Sequence, residues 1–245
     1  MSFFRCVGDF FIFMSSMWTG PISKRILIST FVNECFEIGI RSCSFLWLIT
    51  CFISIIVCYN FFSLSNVPFV SKTMISLSIK NVVFLEVAPT LPALVFIGQC
   101  CLGITNSIFN MKTTGQLDAI SVVGLNKYKF HAMPKIIAVT IMYPLITTAA
   151  CLLSLLVCFI IPILFFDVKA ESVLDGFMDK YNHWYMNVFL LKTFIYGFLM
   201  SSVSTFVGFY SDELTDIETV SKRSFKACCC IVLFADILIT YYIYI

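Results

Sequence analysis

Residues Glu86 to Gly124 read EVAPTLPALVFIGQCCLGITNSIFNMKTTGQLDAISVVG. After Glu86 no charge appears until Lys112. A helix crossing the hydrocarbon core of a bilayer needs ~20 mostly apolar residues, and this run supplies them. Its apolar residues are continuous rather than alternating, so it is a helix and not a barrel strand. Directly behind it, Thr114 to Gly124 forms a short amphipathic segment with lysines on either side. The sequence therefore predicts a spanning helix that empties into a small amphipathic helix.

Composition extends that reading to the whole chain. Of 245 residues, 60% are hydrophobic and 12% charged, where soluble domains carry roughly 25% charged residues. Backbone groups in lipid must be satisfied within each segment, so the expected fold class is an all-α polytopic membrane protein. The net charge of +2 includes no basic tract of the kind that binds nucleic acid. Most of the 12 cysteines lie within apolar runs, among them Cys100, Cys101 and Cys228 to Cys230. There they behave as small apolar residues, and no Cys/His spacing suggests a metal site.

Working outward, five stretches predict spanning helices: about Ser42 to Leu64, Glu86 to Phe109, Met133 to Phe165, Val188 to Tyr210 and Phe225 to Ile245. The first 19 residues are a poor signal peptide and read as an interfacial segment. Gly20-Pro21 separates them from Ile22 to Ile40, where charges interleave with apolar residues as in a helix lying in the interface. Residues Asn66 to Leu85 read as a partial helix beside the second span. Ala170 to Lys180 reads as a short helix in a loop anchored by Trp184 and Tyr185. Two domains follow: 1–41, N-terminal interfacial or elbow helices, and 42–245, the transmembrane domain.

Lysine and arginine set the expected orientation. With the N-terminus in the cytoplasm, Arg5, Lys24, Arg25, Arg41, Lys112, Lys127, Lys129, Lys135, Lys222, Arg223 and Lys226 are inside. Lys72, Lys80, Lys169, Lys180 and Lys192 are outside, completing the 16 basic residues. The C-terminus is then outside.

Few residues invite chemistry. The nearest phosphate-loop match, Gly98 to Gly103, lacks the following Lys and lies in mid-membrane. His131 and His183 fall on opposite sides, so no enzyme site is expected. Thr114 can cap the short helix. Leu117, Ile120 and Val123 would share one face, with Asp118 and Ser121 beside them. This helix either docks into a soluble partner or rests on lipid. Asp236 should sit near mid-depth, where an acid is costly and faces the protein interior. It is either a gating or substrate-path residue or a structural hydrogen bond between helices. Gln99 should lie at a similar depth. The expectation is a bond between the two, with Asp236 often protonated by burial. Gly197, Ser201, Ser204, Thr205 and Gly208 form a stripe for close helix packing.

The quoted stretch resembles the MlaE-type permeases, the membrane subunits of lipid-transporting ABC systems that work with MCE-domain proteins. The family pattern is approximately ELGPxLxALxxAGRxGxxIAxELGTMxxTEQIDALxxMG. Glu86, Pro89, Ala93, Leu94, Gly98, Ile104, Met111, Thr114, Gln116, Asp118, Ala119 and Gly124 hold its places without gaps. Pro134-Lys135, Pro144, SVSTFVGFY at Ser202 to Tyr210, VSKRSFKA at Val220 to Ala227 and Asp236 extend the likeness to roughly residues 20–245. Gln99 replaces the family's usual Arg, Ser107 and Gly115 its Glu, and Phe109 its Gly.

The resemblance implies a homodimer paired with a separate ABC ATPase subunit. ATP and magnesium would bind in that partner, and this chain itself would hold no cofactor. It also implies an MCE-domain lipid-binding partner, phospholipid as cargo and a bacterial inner membrane. Thr114, Gln116, Leu117, Asp118, Ile120 and Val123 would couple to the ATPase. Glu86, Gln99 and Asp236 would line an intramembrane lipid path. An ATPase-independent carrier or channel, or a non-transporting scaffold, stands as the alternative. A carrier would want intramembrane charges along an ion path, and by this reading only Asp236 qualifies.

Overall fold

A computed structural model of the chain describes residues 3–17, 24–63, 71–178 and 183–244. They form eight helices: α1 (Phe3–Ser16), α2 (Lys24–Ser63), α3 (Lys72–Thr113), α4 (Gln116–Val122), α5 (Tyr128–Phe166), α6 (Ala170–Met178), α7 (His183–Tyr210) and α8 (Ile217–Tyr244). No strand occurs among the described residues. α2, α3, α5, α7 and α8 are long and apolar enough to cross a membrane, and each coincides with one of the five expected spans, of which Leu64 and Ile245 lie outside the described residues. α6 matches the short helix expected there, while Lys180, Gly20 and Pro21 lie outside the described residues.

The helices are longer than the spans. The 40 residues of α2 run without a break through positions 40 to 42. The amphipathic segment and the first span are therefore one helix. At 1.5 Å per residue it is about 60 Å long, twice the ~30 Å of hydrocarbon. The segment before Glu86 also differs from expectation. It continues directly into the second span as the 42-residue α3, through π-helical turns at Val83–Val87 and Ile97–Cys101. Pro89 and Pro92 sit in the α-helical stretch Ala88–Phe96 between those turns, and each removes one backbone donor there.

The long helices pack side by side in alternating direction, so the chain moves back and forth between two ends of the bundle. The start of α2, the 114–127 connection and the 211–216 loop share one end. α6 sits at the other, packed on α3. A β-carbon at Gly176 would lie 2.6 Å from the Thr73 carbonyl oxygen and 2.7 Å from Ser76 Cβ, so only glycine allows that approach. α2 packs most extensively on α5. The stripe on α7 behaves as expected. A β-carbon at Gly208 would meet Ile108 Cβ at 3.0 Å, and buried Thr105 donates to the Ser204 carbonyl at 3.0 Å.

Prolines also leave carbonyls for neighbours. Pro162 cannot donate to Cys158 four residues back, and the Cys58 thiol of α2 lies 3.7 Å from that oxygen. No disulfide forms among the described residues.

Candidate functional site

The first site is the α4 end of the bundle. Lys112 closes α3, and its Nζ donates to the carbonyls of Phe209 at 3.1 Å and Ser211 at 2.7 Å. A cation at the last carbonyls of α7 satisfies unpaired acceptors and complements the helix dipole. Gly115 then reverses the chain at φ +71°, and Gly124 ends α4 at φ +82°. A β-carbon disfavours both conformations.

Thr114 does not cap α4. Its hydroxyl turns back to the Asn110 carbonyl at 2.8 Å, and Gly115 occupies the cap position. The expected shared face also separates. Leu117 is 2% exposed and joins the core, Ile120 is half-buried, and Val123 is 75% exposed. Steps of three residues drift roughly 60° apiece around a helix of 3.6 residues per turn. Two steps carry Val123 out of the face that Leu117 buries. Val122 is 87% exposed, and Gln116, Asp118 and Ala119 are exposed beside it. Leu117 anchors the helix, and the outward face belongs to Asp118, Val122 and Val123.

α1 braces this end. Phe13 is buried, with its ring centroid 5.5 Å from that of Tyr128 and 5.8 Å from those of Phe206 and Phe209. Asn126 accepts from the Tyr128 amide at 3.0 Å and donates through Nδ2 to the Ser16 carbonyl at 2.8 Å. One side chain thus starts α5 and holds the end of α1.

The second site lies inside the bundle around Lys192. This lysine, inside the expected fourth span and counted there only among the outside charges, is fully buried. Its Nζ lies 2.7 Å from Asp236 Oδ1 and 3.1 Å from Glu86 Oε2. It also donates to the Leu85 carbonyl at 3.0 Å and lies 3.1 Å from Thr240 Oγ1. Pro89 explains the free carbonyl, because it has no N–H to offer Leu85. Tyr196 donates to Asp236 Oδ1 at 2.6 Å, and Thr240 donates to Glu86 Oε1 at 3.1 Å. Helices α3, α7 and α8 are therefore tied by one polar network. The carboxylates keep 33% (Glu86) and 20% (Asp236) of their side chains exposed, so the network borders open space.

Gln99 does not reach it. It lines a separate cleft of about 470 Å³ with Glu34, Glu37, Ser107 and Lys135, where Lys135 pairs with Glu34 at 2.6 Å. Asp236 takes the ammonium and the phenol in place of the expected amide. Glu86 and Asp236 are thus brought together, and Gln99 stands apart. Lys192 is the residue that sequence reasoning missed. Its signal is a lysine inside VFLLKTFIY with Tyr196 one turn on, matched by Asp236 and Thr240 one turn apart on α8. No group of His, Cys, Asp and Glu among the described residues could hold a metal ion.

Residues 31–242 match the family model described as Permease MlaE. A "Probable ABC transporter permease protein" of Rickettsia bellii (strain RML369-C) is 23% identical over 212 residues, covering 85% of this chain and 80% of the relative. Its counterpart in Rickettsia felis is 22% identical over 216 residues, covering 87% and 82%. A "Probable ABC transporter permease protein ycf63" of Porphyra purpurea is 22% identical over 158 residues, covering 63% and 58%.

Proposed function

This chain belongs to the MlaE permease family, and from that premise we propose that it is the membrane subunit through which a separate ABC ATPase drives phospholipid between membranes. The observation that carries the reading is α4: a short helix pinned by buried Leu117, with Val122 at 87% exposure turned outward. Such a helix transmits force because its inner face is fixed to the bundle while its outer face is free to dock. Closure of the ATPase on nucleotide would move α4. Lys112 would pass that movement to α7, and α3 would carry it toward the Glu86, Lys192 and Asp236 network.

The fuller assembly in this proposal is a homodimer with its ATPase, an MCE-domain protein and phospholipid. It sits in a bacterial inner membrane with the N-terminus in the cytoplasm. The amphipathic residues up to position 41 form its interfacial part. Setting aside Lys192, which is buried in the bundle, leaves the Lys and Arg bias intact. Hydrolysis, ATP and magnesium belong to the partner. The apolar faces of α2, α3 and α8 would hold the acyl chains, with Glu86 and Asp236 along the path and Gln99 in its adjoining cleft.

One observation favours a second reading. A carrier driven by an ion gradient wants intramembrane charges, and the network supplies three where the sequence offered Asp236 alone. Co-purification with candidate ABC ATPases of the source organism separates the two. Wild-type chain retaining an ATPase and phospholipid, with loss of the ATPase on Val122→Glu plus Asp118→Arg, supports the permease reading. A chain that purifies alone and moves lipid on an ion gradient supports the carrier.

A further inference from the structure

We infer that the loop from Ser211 to Asp216 forms, with α4, a second contact for the ATPase, built as an exposed leucine in an acidic loop. The inference rests on the permease reading and names where on this chain the partner is gripped besides α4.

Leu214 is fully exposed. Asp212, Glu213 and Asp216, its neighbours in the loop, are all exposed. Asp212 holds the loop's shape through its backbone: its carbonyl accepts from the Thr215 amide at 3.1 Å and the Thr215 hydroxyl at 2.6 Å. The Asp216 carbonyl in turn accepts from the amides of Thr219 at 3.0 Å and Val220 at 3.2 Å. A leucine held outward on a hydrogen-bonded turn is presented, not stranded.

Two observations identify its occupant. The first is the Lys112 bridge. One ammonium at the end of α3, two residues before the turn into α4, holds Phe209 and Ser211 at the root of the loop. The loop and α4 therefore emerge side by side, and a body docked on α4 meets the loop as well. The second is charge. On the cytoplasmic side, bilayer surfaces are negative and attract basic segments. Three exposed carboxylates in the loop that carries Leu214, with Asp118 on α4, oppose insertion into that surface. The surface complementary to such a loop is a protein with lysine or arginine beside an apolar pocket. Charge of that kind acts chiefly on association rate and salt dependence, while the buried apolar residue holds the complex.

The test uses the full chain in lipid nanodiscs with the ABC ATPase that the wild type retains. A photo-crosslinking residue at position 214 should capture that ATPase, and the same residue at Leu174, on α6 at the other end, should not. Leu214→Ala should weaken binding roughly tenfold. Asp212→Lys with Glu213→Lys should weaken it at low salt and flatten its salt dependence. Size-exclusion profiles and thermal midpoints matching wild type show that these exposed changes leave the fold intact. If Val122→Glu abolishes binding while the loop variants bind as wild type and position 214 captures nothing, the second contact is overturned and the permease reading stands. If the wild type retains no ATPase at all, both fall.

Discussion

The ammonium of Lys192 lies 2.7 Å from the carboxylate of Asp236, joining α7 to α8 inside the membrane domain. Glu86 of α3 completes the arrangement at 3.1 Å. Two acids share one base, so the base is the member whose loss matters most.

Lys192→Met should therefore be severe. It leaves two carboxylates facing each other with no counter-charge, and breaking a buried pair in this way costs about 3–5 kcal/mol. The thermal midpoint of the purified protein in nanodiscs measures this. Adding Asp236→Asn to Lys192→Met should recover part of the loss, because it removes one orphaned charge.

Asp236→Asn alone should be much milder. Tyr196 can still donate to the amide oxygen, and Glu86 remains to balance Lys192. A transport assay in liposomes with the ATPase present should show activity near wild type. Loss of transport with an unchanged midpoint would show that the path needs the charge of Asp236 and not only its hydrogen bonds.

The two faces of α4 should respond differently. Leu117→Ala removes a buried anchor and should cost about 2–5 kcal/mol in stability. Val122→Ala lies on an exposed face and should stay within about 0.5 kcal/mol. Thermal unfolding distinguishes them, and ATPase pull-down should fall with Val122→Glu at unchanged stability.

Gly208→Ala tests the close approach of α7 to α3. Its β-carbon would meet the Thr105 carbonyl oxygen at 3.1 Å and Ile108 Cβ at 3.0 Å. Overpacking of this kind costs about 1–3 kcal/mol. A lowered midpoint, partly restored by Ile108→Val, is the expected result.

Lys112→Met should loosen the tether between α3 and the end of α7. Hydrogen exchange should rise at residues 207–216 and leave the centre of α7 protected, because only the terminal carbonyls lose a partner.

Much of the architecture was legible in the order of residues. Leu46, Ile97 and Val139 lie in continuous apolar runs whose length alone implies a crossing helix. The amphipathic run from Thr114 to Gly124 marked α4, although the turn at Gly115 was not read from it. The extents of α2 and α3 were less visible. Their amphipathic ends were read as helices of their own, and a change in hydropathy does not show whether the helical ladder runs on unbroken into the apolar stretch. Thr114 shows a similar limit: a residue type suited to one cap was used to close the helix before it.

The sequence by itself determined that this chain is a five-span helical membrane protein, because a bilayer demands length and apolarity that can be counted along the chain. It also placed a short helix between α3 and α5 and carried the family likeness. Tertiary structure alone decided which side chains meet. Lys192 and Asp236 lie far apart in sequence, on different helices, yet share a network with Glu86 because three helices converge there. Gln99 shares Asp236's expected depth but faces a different cleft. Depth follows from counting residues, whereas the direction a side chain takes around its helix depends on how the helices pack.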